Sequence, residues 1–227
     1  MSPGAEERLG PGRPLDALNA RGLSAKREYV HGLEQRRDPE ALSLLIECLC
    51  DESWFLRDLA EQAFVRLGEA HAQGLLPLLE GGLWYTRTSA ARLLGRVGYR
   101  PAVPGLLRLC EDSNETAALA ACDAVVALAR NGGAARLAYG LHRLPPEPRR
   151  QRLTEIARRD RALVGRLERL MHNEDIMTVD DPDSLSDESE LVRASEEGFE
   201  WEVLTGPAPR KEPPRETPSG NDAPPAS

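Results

Sequence analysis

The chain has 227 residues, 41% of them hydrophobic but only 4% aromatic, so Leu, Ala and Val must fill its interior, as in close-packed helices rather than sheets. Its net charge of −8 is uneven: residues 1–172 carry +3, residues 173–202 carry −11 and residues 203–227 are neutral, so a mildly basic body is joined to an acidic tail. No run of 18 apolar residues occurs and the start, MSPGAEERLGPGRPL, has no apolar signal core, which predicts a cytoplasmic chain with no membrane contact.

Residues 1–12 read as a flexible start, and residues 13–172 as one helical domain. A first helix pair is expected near 14–22 and 24–37, with Ser24 as N-cap. Asp38 then caps a helix with Pro39 in its first position, and Leu42, Leu45, Ile46 and Leu49 form an i, i+3, i+4, i+7 stripe. The stripe returns as Ala72, Leu75, Leu76, Leu79, as Val103, Leu106, Leu107, Cys110, and as Ala134, Leu137, Ala138, Leu141. Between these lie second helices in a common register. Leu56, Leu59, Ala60, Ala63, Phe64 and Leu67 map onto Thr86, Ser89, Ala90, Leu93, Leu94 and Val97, then onto Ala117, Ala120, Ala121, Ala124, Val125 and Leu128. Ala60, Ala90 and Ala121 keep a small residue where helices could approach closely, and Gly68 and Gly98 read as left-handed caps.

The repeat is clearest where WFLRDLAEQAFVRLG from Trp54 returns as WYTRTSAARLLGRVG from Trp84, 30 residues on. Such a period marks units that bury their apolar faces only by stacking on neighbours. After an interruption at Pro145 to Pro148, two Arg-rich helices are expected near 148–159 and 160–172. About five pairs result.

Beyond His172, residues 173–204 form an acidic stretch with a possible short helix from Ser186 to Gly198 and an aromatic-acidic peptide, GFEWEVL. Residues 205–227 are Pro-rich and predict disorder.

DESWFLRDLAEQAFVRLG, from Asp51 to Gly68, and LWYTRTSAARLLGRVGYRPAVPGLLRLCED, from Leu83 to Asp112, resemble the HEAT-repeat superfamily, specifically the bacterial HEAT-like repeats of the phycobilisome-lyase type. The resemblance spans about residues 38–144. It implies an all-α, right-handed α-solenoid (an armadillo-type fold) from a bacterial source, in which Asp51 and the Arg six residues later, Arg57, with its counterpart Arg87, belong to a structural repeat bridging adjacent units. Gly81 stands where the second unit should carry Asp, and Ala118 where the third should carry Arg, so a continuous Asp–Arg ladder is not expected.

Such folds host many functions, so function must come from the residues. Deoxyhypusine hydroxylase resembles this architecture but holds iron with His-Glu dipeptides, and none of His31, His71, His142 and His172 is followed by Glu. No nucleophile elbow or phosphate loop appears. The expectation is no catalytic residue, no metal site and no cofactor. Cys48, Cys50, Cys110 and Cys122 lack metal-ligand spacing and read as buried, reduced thiols.

The alternative to a non-enzymatic interaction scaffold or adaptor is a lyase-like or other enzyme subunit on this fold. Candidate partner-binding residues are an aromatic ridge of Trp54, Phe55, Trp84 and Tyr85, the arginines Arg149, Arg150, Arg158 and Arg159, and Phe199 and Trp201 in the tail. The partner expected is another protein. Nucleic acid is disfavoured because aromatic residues do not interleave the arginines and the acidic tail would compete for them. The tail itself could occlude the binding face, recruit a partner or serve only for solubility.

Overall fold

The computed structural model describes residues 15–185, and within them every regular element is helical. The expectations for residues 1–12, for the possible helix after Ser186, for Phe199 and Trp201 and for the Pro-rich tail lie outside the described residues. In chain order the helices are α1 (Asp16–Asn19), α2 (Gly22–Arg36), α3 (Pro39–Cys50) and α4 (Trp54–Leu67), followed by a 3-10 helix (Glu69–Leu79). Then come α5 (Trp84–Val97), α6 (Val103–Leu109), α7 (Glu115–Leu128), α8 (Ala134–His142), α9 (Pro146–Arg159), α10 (Arg161–Met171) and α11 (Glu174–Met177).

Two rows of helices share one core. In the first row α3 packs on the 3-10 helix, the 3-10 helix on α6, α6 on α8 and α8 on α10; in the second, α2 packs on α4, α4 on α5, α5 on α7 and α7 on α9. The rows meet through α3 with α4, the 3-10 helix with α5, α6 with α7 and α10 with α9. Every residue named in the apolar stripes is buried or half-buried, and Leu45, Leu56, Phe64, Leu75, Leu93, Leu94, Leu106, Leu137 and Leu141 are sealed almost completely. Neighbouring helices of the second row come close where side chains are small. A Cβ on Gly95 of α5 would lie only 2.8 Å from the Ala124 Cα of α7.

Helix starts follow local chemistry. The Asp38 carboxylate accepts from the Ala41 N–H at 2.8 Å with Pro39 in the first turn, Asn114 caps α7 and Asp160 caps α10. Ser24 does not cap: α2 begins two residues earlier, without a side-chain cap, and Ser24 lies exposed in its first turn. The segment Glu69–Leu79 is 3-10 rather than α. Pro77 supplies no N–H to the preceding turn and disfavours the α conformation for Leu76, which explains the departure. Gly68 and Gly98 both end their helices at φ +79°, although only Gly98 adopts the left-handed helical conformation.

Candidate interaction groove

α4, α5 and α7 lie side by side in the second row, and their outward faces form a continuous trough. One section, about 380 Å³, is lined by Trp54, Arg57, Asp58, Trp84, Tyr85 and Thr88 among others. The next, about 430 Å³, runs over Gly95, Ala120, Ala124 and Ala127 between Arg92 and Arg96 on one side and Leu119 and Asp123 on the other. The two sections share Glu61, Arg92 and Thr116, which makes them one groove. The cause is sequence: glycine and alanine at the α5–α7 crossing leave no side chain to fill the space above it.

The aromatic dipeptides at the starts of α4 and α5 divide their roles. Trp54 is 70% exposed and Trp84 46% exposed, whereas Phe55 and Tyr85 are half-buried. Each Trp meets its neighbour edge-on, with ring centroids 5.7 Å apart in both pairs. Each inner ring is covered by an arginine from the preceding second-row helix, Arg27 over Phe55 at 5.4 Å and Arg57 over Tyr85 at 4.3 Å. The Trp rings therefore remain as an apolar ridge at one end of the groove, and the expected four-residue strip contracts to two exposed members.

The repeat residues behave differently from one another. Arg57 donates to the carbonyls of Asp51 and Glu52 at 2.7 and 2.9 Å, and Arg87 donates likewise to Gly82. Arg87 also clamps the Asp112 carboxylate, between α6 and α7, through Nε and one terminal nitrogen, at 2.6 and 3.0 Å. Its hydrogen bond holds the Asp112 carboxyl below the usual range, with the Asn114 N–H and the Arg87 charge assisting. Arg57 forms no such bridge, since Gly81 offers no carboxylate there. Asp51 instead accepts from the Asn19 amide and its own turn's Ser53 N–H.

The Arg-rich C-terminal helices do not present one free basic stripe. Arg149 is half-buried and donates to the carbonyls of Leu141, His142 and Leu144, so it closes the C-terminal end of α8. Arg150 pairs with Glu147, Arg158 with Glu155, and Arg159 with both Asp123 and Glu155. Arg152 is buried against Glu111. Sequence spacing gives the right helices but not the carboxylates and carbonyls that reach them from other elements.

Arg92, Arg96 and Leu119 were not among the sequence candidates. On a helix wheel they belong to the outward face, and only the bare floor beside them turns that face into a groove. Both arginines are exposed, and among the described residues neither has a hydrogen-bond or ion-pair partner. Leu119 is 46% exposed.

The cysteines need one correction. Cys48, Cys110 and Cys122 are buried, but Cys50 is exposed at the end of α3, because two residues along a helix turn the side chain through about 200°. Burial pushes the Cys48 thiol up to about 12. Among the described residues no cluster of three His, Cys, Asp or Glu could hold a metal ion, and no helix is long and apolar enough to cross a membrane. Neither a family model nor a curated protein matches the chain.

Proposed function

We propose that this protein is a non-enzymatic interaction scaffold or adaptor, built as a right-handed solenoid of HEAT-like helix pairs, which grips a partner protein in the groove over α4, α5 and α7. The two rows of helices, each element packed on the next in its row, support the solenoid reading. The observation that carries the functional reading is the groove's lining: two exposed tryptophans at one end, an exposed leucine further along, and two arginines without internal partners. Trp and Arg lead the side chains that dominate binding energy at protein interfaces, and an exposed apolar strip rimmed by charge is the usual mark of such a surface. The carbonyl-bound Arg149 is assigned a structural role instead.

Affinity capture with the full chain tests the proposal. A stoichiometric protein partner should be retained by the wild type and lost by Trp54→Ala/Trp84→Ala, with the melting temperature of the double variant little changed. Retention of the partner by the variant refutes the groove as the docking surface. A large fall in melting temperature assigns the tryptophans to the core, and a coloured cofactor in the purified protein points to a lyase-like subunit.

A further inference from the structure

Resting on the reading of the groove as a peptide-holding surface, we infer that its resting occupant is this chain's own segment Gly198–Leu204, GFEWEVL, held in cis until a partner displaces it. Four observations carry this. First, the groove's other charged side chains each have a contact of their own: Asp123 pairs with Arg159, Glu61 accepts from Ser89, Asp58 accepts from Gln62, and Arg57 lies over Tyr85. The two charges left without partners, Arg92 and Arg96, are both positive. Residues 173–202 carry net −11, so the chain itself holds the complementary charge.

Second, the spacing agrees. Arg92 and Arg96 are four residues apart on α5, which separates them by about 6 Å along the helix. In an extended peptide Glu200 and Glu202 are two residues apart and lie on one side, separated by about 6.6 Å. One carboxylate can thus face each guanidinium.

Third, the other side of that extended peptide carries Phe199, Trp201 and Val203, an apolar row suited to the Trp54–Trp84 ridge and Leu119. Acidic and apolar residues thus lie on opposite sides of such an extended peptide.

Fourth, the chain is long enough. The described part ends in a 3-10 turn, Pro182–Ser184, packed on α8, with Leu185 buried. Phe199 follows 14 residues later, a span of up to about 46–50 Å when extended. The α5–α7 groove lies two or three helices from α8, on the order of 20–30 Å at about 10 Å per helix. Tethering at that distance gives an effective concentration near ~1 mM, enough for even a weak peptide to occupy the groove.

The test uses the full chain and, as probe, a fluorescein-labelled peptide of residues 196–206, EEGFEWEVLTG. Anisotropy should show the probe binding Phe199→Ala/Trp201→Ala about tenfold or more tightly than wild type, because the variant vacates the groove. Adding Arg92→Glu/Arg96→Glu should abolish that gain, and a probe carrying Glu200→Arg and Glu202→Arg should restore binding to this charge-reversed groove, which also shows that the variant is folded. Equal probe affinity for wild type and the tail variant overturns the inference, as does binding that ignores Arg92 and Arg96. Self-association of the wild type that the tail variant loses overturns the cis arrangement. If the probe binds nowhere while a partner is still captured through Trp54 and Trp84, the inference fails and the scaffold reading stands. If the probe is held as described but capture is indifferent to the tryptophans, the scaffold reading fails alone.

Discussion

Gly95→Ala tests the close approach of α5 and α7 that makes the groove. The added Cβ would meet the Ala124 Cα at 2.8 Å and its Cβ at 2.9 Å. Carbon atoms in ordinary contact sit about 3.5–4.0 Å apart, so the helices must separate by roughly 0.7–1 Å, forfeiting about a quarter to a half of the dispersion energy across their seam. Overpacking of this kind costs about 1–3 kcal/mol. Against it stands a gain of about 0.5–1 kcal/mol from replacing a mid-helix glycine. The net is a loss of up to roughly 2.5 kcal/mol, or a fall in Tm of up to about 5–10 °C for a chain of this size. Gly32→Ala in α2 is the internal control. Nothing lies within 4 Å of its added Cβ, so only the propensity gain applies and Tm should rise. Thermal melts followed by circular dichroism decide between the signs. If Gly95→Ala raises Tm as Gly32→Ala does, α5 and α7 are not in backbone contact and the bare floor of the groove has no basis.

Asp112→Asn should lower stability near neutral pH by about 1.5–3 kcal/mol, the usual weight of hydrogen bonds to a charged group. Since Arg87 depresses the folded-state pKa of Asp112, this contribution is present above the unfolded value of about 3.9 and is lost as pH falls through the folded value. Urea midpoints of wild type and variant should therefore converge below about pH 4; a constant gap down to pH 3 would contradict the ion pair. Arg149→Ala, which strips donors from three carbonyls at the end of α8, should cost about 1–3 kcal/mol in urea unfolding and leave partner capture intact. Loss of capture without loss of stability would return Arg149 to the binding surface. In the native chain a thiol reagent should modify Cys50 first, with Cys48 reacting only as the protein unfolds, and mass spectrometry of the labelled peptides reads the order. Rapid labelling of Cys48 would contradict its burial.

The apolar stripes made the helices legible, because their periodicity depends on the packing that each face must achieve. Asp38 and Pro39 marked one helix start for the same local reason that operates in the structure. Ser24 failed as a cap because the helix is already under way before it, which leaves Ser24 inside the first turn. The 3-10 form of residues 69–79 was hidden because Ala72, Leu75 and Leu79 keep an α-helical spacing, and only Pro77 argued otherwise. For the groove, sequence supplied the tryptophans but not their division of labour with Phe55 and Tyr85, which depends on Arg27 and Arg57 reaching across from neighbouring helices. Nothing in the sequence distinguishes Arg92 and Arg96 from other exposed arginines. Their distinction is the missing carboxylate, a property of three helices together. The opposite error attended Arg149, whose carbonyl partners come from the end of another helix.

Chemical-shift mapping tests the central claim that the groove over α4, α5 and α7 is the docking surface. Full-length, isotope-labelled Phe199→Ala/Trp201→Ala protein would be titrated with the unlabelled 196–206 peptide. The account predicts movement of the Trp54 and Trp84 indole N–H signals together with the amides of Arg92, Arg96 and Leu119. Shifts confined instead to Arg149 through Arg159 would contradict it.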